Sequence, residues 1–227
     1  MWILSSASIE TGHMPQIEYF YSAHSAFAYI GSARLLEICA AFDCELVHRP
    51  IRLGPVVEQV GGLPFHGRTQ AHVDYFFGRE VERWAEFRGV PIVHHRPRFH
   101  DNPLDLSNGM LIAAAVQGAN VDRLSHALLQ AHWRDDIDLA DENALAAAAR
   151  AAGIDPSPLL EAALSNHVQD IHAENTREAM ARHVFGSPTY FVSGDMFYGQ
   201  DHLELIERAL TAPFAAPAFS NPDVQPQ

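Results

Sequence analysis

The sequence contains no lysine. All 15 of its basic residues are arginine, which excludes Schiff-base chemistry, a phosphate-loop lysine and a lysine general base. Positive charge of any kind is scarce: 28 acidic residues bring the formal net charge to -13. Affinity for a phosphate backbone is dominated by lysine and arginine, so no nucleic-acid partner is expected. Long apolar runs are missing too, with none approaching the roughly 20 residues of a membrane helix. The opening stretch MWILSSASIETGHM has neither the basic start nor the apolar centre of a secretion signal. These absences read as a cytoplasmic protein with no membrane partner. There are only two cysteines, Cys39 and Cys44, with four residues between them. A redox or metal pair usually has two between, so these read as small core hydrophobes.

What is present suffices for a core. Of 227 residues, 48% are hydrophobic, enough for one large domain or one domain with a sizeable insertion. Residues 1–13 precede the first strand signal and read either as an added leader or as the result of a start codon placed too early, outside the fold in both cases. The Pro-rich tail TAPFAAPAFSNPDVQPQ reads as loose.

Strand signals stand at both ends with helices between them. QIEYFYS (Gln16 to Ser22) predicts a strand, followed by a largely buried helix from Ser25 to Phe42 whose polar stripe is only Ser32, Arg34 and Glu37. CELVHRPI predicts a second strand. The period then changes to that of a helix: Val73, Phe77, Val81 and Trp84 share one face, and Val121, Leu124, Leu128 and Ala131 share another. DENALAAAARAAG is a helix with Asp141 as N-cap and Gly153 past its end. SPLLEAAL starts with Ser157 as cap and Pro158 in the first turn, and a further helix is expected from Asn166 to His183. PTYFVSGDMFYG predicts a hairpin turning at Ser193-Gly194-Asp195, and DHLELIERAL a closing helix. With the central helical block of about 120 residues removed, this order is the thioredoxin topology. It predicts an α/β, thioredoxin-like fold with a large all-α insertion, built on a mixed sheet with a parallel first pair and an antiparallel hairpin.

The 14 histidines invite a metal reading, above all VHHRPRFH with His94, His95 and His100. Sequence neighbours point apart, and no helix sets two histidines at i and i+4 beside a carboxylate, so no metal is expected. His24 beside Ser25 does not make a nucleophile with its base, because adjacent residues rarely face one another and no strained Gly-x-Ser-x-Gly turn is present.

The segment VFGSPTYFVSGDMFYGQDHLELIERAL (Val184 to Leu210) holds a Phe-Gly-x-Pro-Thr pattern and a Gly-x-Asp-x-Leu pattern. Together with HRPIRLG, VERWAEFRGVPI and SAFAYIG, it makes the chain resemble, from about Ile17 to Leu210, the 2-hydroxychromene-2-carboxylate isomerases. These are a glutathione-dependent group similar to kappa-class glutathione transferases and related to the bacterial disulfide oxidases. The resemblance implies a thioredoxin-like domain in two parts, 14–60 and 184–212, around a helical insertion at 61–183, with loose ends at 1–13 and 213–227. It also implies a homodimer.

A strand-to-helix joint offers unpaired N–H groups and the positive end of the helix dipole, a setting that stabilises a thiolate. In the disulfide oxidases two cysteines occupy the positions that here read Ser25 and Ala28, so a dithiol cycle is excluded and the thiol must come from outside. The resemblance supplies glutathione, with Ser25 donating a hydrogen bond to its sulfur; taken alone, Ser25 is an N-cap. It further assigns Ser187-Pro188 as the cis-proline step whose backbone amide and carbonyl lie open to a bound peptide, and Gly199, Gln200 and Asp201 as the opening of the last helix, meeting the γ-glutamyl end. Asp201 by itself is simply a good helix cap.

Several positions depart from the family. The helix-start proline is Ala26, the acidic residue of the first strand is Ser22, and the usual lysine and Gly-Asn are Glu58 and Gly61-Gly62. Arg68 aligns with a family arginine beside the substrate, and Phe99 with a family aromatic. The implied activity is isomerisation of a planar, acidic aromatic metabolite by thiolate addition, bond rotation and elimination. The other readings are a kappa-like transferase and a non-enzymatic peptide-binding module of the same fold.

Overall fold

The structure, a computed structural model, describes residues 14–224, so the leader expected at residues 1–13 lies outside the described residues. Four strands, β1 (Gln16–Tyr21), β2 (Glu45–Pro50), β3 (Thr189–Val192) and β4 (Asp195–Tyr198), form one sheet in the order β2-β1-β3-β4. β1 runs parallel to β2, with Ile17 opposite Leu46, and antiparallel to β3, with Ile17 opposite Val192. This is the mixed sheet that the sequence predicts, and the fold is thioredoxin-like. Among the described residues ten α-helices accompany it: α1 (Ala26–Phe42), α2 (Leu53–Gln59), α3 (Gln70–Asp74), α4 (Glu80–Arg88), α5 (Asp105–Gln117), α6 (Val121–Asp135), α7 (Glu142–Ala151), α8 (Ser157–Ala163), α9 (Asn166–Ala181) and α10 (Leu203–Thr211).

Side chains alternate across the sheet, so both faces must be covered. On one face Tyr19 stacks between Tyr21 and Tyr190, with ring centroids 4.0 and 5.3 Å away. These rings join the main core with Ile30, Leu35 and Ile38 of α1 and Leu203 and Ile206 of α10. Phe20 and Phe191 point the other way, into a smaller core with Ile51, Val56 of α2 and Ala179 of α9. The central helices extend the main core through α5, which is buried from Ser107 to Ala114. At Gly109 a β-carbon would lie 2.2 Å from the Ala163 carbonyl oxygen, so α5 and α8 meet backbone to backbone there.

Local chemistry fixes the helix starts. Ser25, Thr69, Asn120, Asp141 and Ser165 each accept a backbone N–H as N-cap of α1, α3, α6, α7 and α9. Four details correct the sequence reading. Ser157 is inside α8, and Asp155 is the residue whose carboxylate accepts its N–H. The hairpin turn is the two-residue Ser193-Gly194, both at positive φ, with Asp195 already in β4. Gly199 to Asp201 does not open α10: Gln200–His202 forms a 3-10 turn and α10 begins at Leu203. A π turn, Tyr75–Arg79, joins α3 to α4 and breaks the expected single face after Phe77. In the tail, Phe214 packs against Phe197, 6.0 Å between centroids, and under the Arg208 guanidinium.

Candidate active site

At the joint between β1 and α1, the Ser25 N–H bonds to the Ser22 carbonyl, and the Ser25 hydroxyl accepts from the Ala28 N–H at 3.3 Å. The hydroxyl proton is donated to the Ser187 carbonyl, 3.0 Å away, and the Ser22 N–H is donated to the Ser187 hydroxyl at the same distance. The Ser187-Pro188 bond is cis. The strand-to-helix joint and the proline step are therefore laced together. This refines one expectation: the Ser187 carbonyl is not open but holds the Ser25 proton. The Ser187 N–H has no partner among the described residues.

Both serines line a cavity of about 650 Å³ between the sheet end and the helices. Its apolar wall comes from Leu63, Phe65, Val73, Phe76 and Phe77, where the π turn swings two adjacent phenylalanines toward the space. Three arginines reach it. Arg52 pairs with Asp105 at 2.9 Å, and Arg96 makes a two-pronged pair with Asp101 at 2.6 and 2.7 Å. Arg68 has no carboxylate partner among the described residues; it touches His72 Nε2 at 2.8 Å and lies over the Phe77 ring, and its buried Nε is unpaired.

The polar wall includes His24 and His100, which stack with His132 behind them. His24 Nδ1 is 2.9 Å from the Ser22 hydroxyl, and its ring centroid is 4.6 Å from that of His100. His100 Nδ1 is 3.0 Å from His132 Nε2, and His132 Nδ1 is 3.0 Å from the Ile137 carbonyl. Trp133 closes the group, donating its indole N–H to the His24 carbonyl at 2.8 Å. Burial is the main cause that pushes these rings toward the neutral form: His24 falls to about 3 and His100 to about 2, with neighbouring histidines and Arg96 adding to it, and burial lowers His132 as well. Deeper in the wall, buried Asn108 donates to the Ile51 carbonyl and accepts the Ala23 N–H, tying α5 to the joint.

Of the residues that the sequence singled out, Ser25, Ser187 and Arg68 meet at this cavity. Pro188, Gly199, Gln200 and Asp201 do not line it. Gln200 turns its side chain into the protein, where Arg88 donates to both its side-chain and backbone oxygens. Asp201 is exposed and lies near His202 at 3.6 Å. Phe99 is 40% exposed and outside the cavity, whereas the next two residues, His100 and Asp101, line it. Glu58 lines it in place of the family lysine. At Gly62 a β-carbon would fall 2.8 Å from the Val57 carbonyl oxygen, so this loop has no room for an asparagine side chain. The sequence reading missed the histidine stack and Trp133, because nothing in local spacing joins residues this far apart. Cys39 and Cys44 both carry free thiols and line no part of the cavity; burial pushes the Cys39 thiol up to about 12.

Residues 16–211 match the family model of the DSBA-like thioredoxin domain. A 2-hydroxychromene-2-carboxylate isomerase from Pseudomonas putida is 25% identical over 197 residues, covering 86% of this chain and 93% of that protein. The structure of an isomerase of the same name superposes with a TM-score of 0.75 at 23% identity, covering 86% of this chain and 94% of that one. The cytosolic disulfide reductase DsbM from Pseudomonas aeruginosa, in a structure with GSH, superposes with a TM-score of 0.59 at 15% identity, covering 87% of this chain and 93% of that one.

Proposed function

We propose that the chain, which belongs to the DSBA-like thioredoxin domain family, is a glutathione-dependent isomerase of an aromatic metabolite like 2-hydroxychromene-2-carboxylate. One observation carries the reading: the cavity has no thiol of its own, yet it holds a hydroxyl donor at a helix start, aimed across a cis-proline step. A site of that kind suits a thiol brought by a ligand. The isomerase names of relatives spanning 86% of this chain support the substrate class, and a protein of the same fold is known in a structure with GSH.

The residues present fit a glutathione peptide at the joint. The free Ser187 N–H can donate to its backbone. When the Ser25 hydroxyl swings from the Ser187 carbonyl to a sulfur, that carbonyl becomes an acceptor for the peptide's own N–H, so one rotation satisfies both partners. The first-turn N–H groups of α1 and the helix dipole then favour the charged sulfur. Glutathione supplies the thiolate that adds to the conjugated double bond and leaves after rotation. Arg68, the cavity arginine without a carboxylate, receives the substrate's acid group, and the phenylalanine wall takes its ring.

Calorimetry with glutathione should give a Kd between about 10 μM and a few millimolar, and turnover of 2-hydroxychromene-2-carboxylate should require the thiol. No binding at about 10 mM, where a Kd weaker than that of a contact worth roughly 3 kcal/mol escapes detection, overturns the reading. Binding without turnover leaves the peptide-binding module. Arg68→Gln should raise KM for the acidic substrate about tenfold with kcat little changed, the signature of lost ground-state binding to a charged group.

A further inference from the structure

The histidine wall has a direction. A carbonyl oxygen only accepts, so His132 Nδ1, 3.0 Å from the Ile137 carbonyl, carries a proton and donates it. His132 is fully buried and its ring is held neutral chiefly by that burial. Its Nε2 is therefore a bare lone pair. His100 Nδ1, 3.0 Å from that nitrogen, must donate to it. His100 is neutral too, pushed down first by burial and then by His24, His132 and Arg96. Its second nitrogen, Nε2, is left as an acceptor on a residue that lines the cavity. His24 and Trp133 clamp the ring from two sides, at centroid distances of 4.6 and 5.5 Å.

We propose that His100 Nε2 is a built-in acceptor for a neutral hydroxyl group on the aromatic ligand, with His132 as the positioning residue that sets its tautomer. The proposal deepens the isomerase reading and rests on it for the identity of the hydroxylated ligand. A lone pair with no available proton binds O–H and disfavours an oxygen anion. Arg68 provides the opposite preference elsewhere in the same cavity. The two together orient an aromatic hydroxy acid: carboxylate toward Arg68, hydroxyl toward His100. The groups facing His100 are His24, His132 and Arg96, and Asp101 holds Arg96 away from acting as a lone charge.

The test needs neither glutathione nor turnover, so its failure is separable from failure of the isomerase reading. In the full chain carrying nitrogen-15 histidine, NMR should show His100 and His132 as neutral rings protonated at Nδ1, unchanged as pH passes through the ordinary histidine range. Wild-type protein should bind 2-naphthol about tenfold more tightly than 2-methoxynaphthalene, the scale of one hydrogen bond to a buried acceptor, with the His100 Nε2 resonance moving only for the naphthol. His100→Phe should abolish the preference. His132→Phe should weaken it with the His100 ring still in place, because His100 is then free to protonate Nε2. A His100 resonance showing protonated Nε2 or titration near pH 6.5 would overturn the proposal, as would equal binding of the two naphthalenes by the wild-type protein. Should His132→Phe fail to fold, His100→Gln, whose amide can turn either end to the ligand, should bind both naphthalenes within about threefold. A retained tenfold preference in that variant would count against the proposal.

Discussion

Between pH 7 and pH 5 the protein should lose about 4–6 kcal/mol of folding stability, from the linkage of three excluded protons. The sign follows from where each proton is bound. An unfolded histidine takes up its proton near pH 6.5. In the fold, burial first and then neighbouring rings and Arg96 hold His24 at about 3 and His100 at about 2, and burial and Arg52 hold His172 at about 4. His132 is depressed in the same direction. Above pH 7 neither state binds these protons and stability is full. As pH falls below 6.5 the unfolded chain gains protons that the native state refuses, and each group costs about 2 kcal/mol by pH 5. His24 and His100 make two such groups, and His172 adds the third. Asp136 contributes nothing in this window. Its burial raises its pKa, but hydrogen bonds from Arg98 and His95 outweigh that and hold it at about 2. Set against a typical total of about 5–15 kcal/mol, the loss should bring the chain close to unfolding by pH 4–5. Urea denaturation followed by circular dichroism at pH 7, 6 and 5 measures it. A midpoint that does not move would mean that the stack carries a proton in the native state.

The sheet was legible in the sequence because its signals are short-ranged. Period-two alternation in QIEYFYS and TYFV, a Ser-Gly turn and strong N-caps all act within a few residues. Helix α5 escaped notice for the opposite reason. DLSNGMLIAAAVQ is buried all round from Ser107 to Ala114, so it has no polar stripe to mark its period. Helix α2 carries Gly54 and Pro55 in its first turn and is only seven residues long, too short for a helical period to mark it. The π turn adds a residue to a helix that a fixed period extrapolates straight through. At the site, Ser25 and Ser187 were visible through the family resemblance, because each lies in a motif that the family shares; taken alone, Ser25 reads as a helix cap. Phe99 was misplaced by one position: the turn at 98–101 sends His100, not the aromatic before it, to the cavity. The histidine stack was beyond any local reading. Its hydrogen bond between His100 and His132 spans 32 residues, joining the turn at 98–101 to α6.

Replacing Ser25 with alanine should slow turnover at saturating glutathione about tenfold to a hundredfold, the kinetic equivalent of roughly 1–3 kcal/mol for a charge-assisted hydrogen bond. The side chain has two jobs, and the variant separates them. As a cap it accepts the Ala28 N–H, and losing that should cost the helix about 1 kcal/mol whatever the chain does. As a donor it now serves the Ser187 carbonyl. A bound thiolate would compete for the same proton, and among the described residues no other side-chain hydroxyl donates to that carbonyl. Reduced stability alone would therefore say nothing about the sulfur. The thiolate's own ultraviolet absorbance does: with wild-type protein the pKa of bound glutathione should fall below its value in water, and Ser25→Ala should raise it again by about 1–2 units, since a unit is worth about 1.4 kcal/mol. Ser25→Thr, which keeps both the hydroxyl and the capping oxygen, should recover most of the shift. If the alanine variant lowers stability but leaves both turnover and the thiol pKa where they were, Ser25 is a helix cap only. The charge on the sulfur must then be held by the first-turn N–H groups of α1, which the serine-to-alanine change leaves in place.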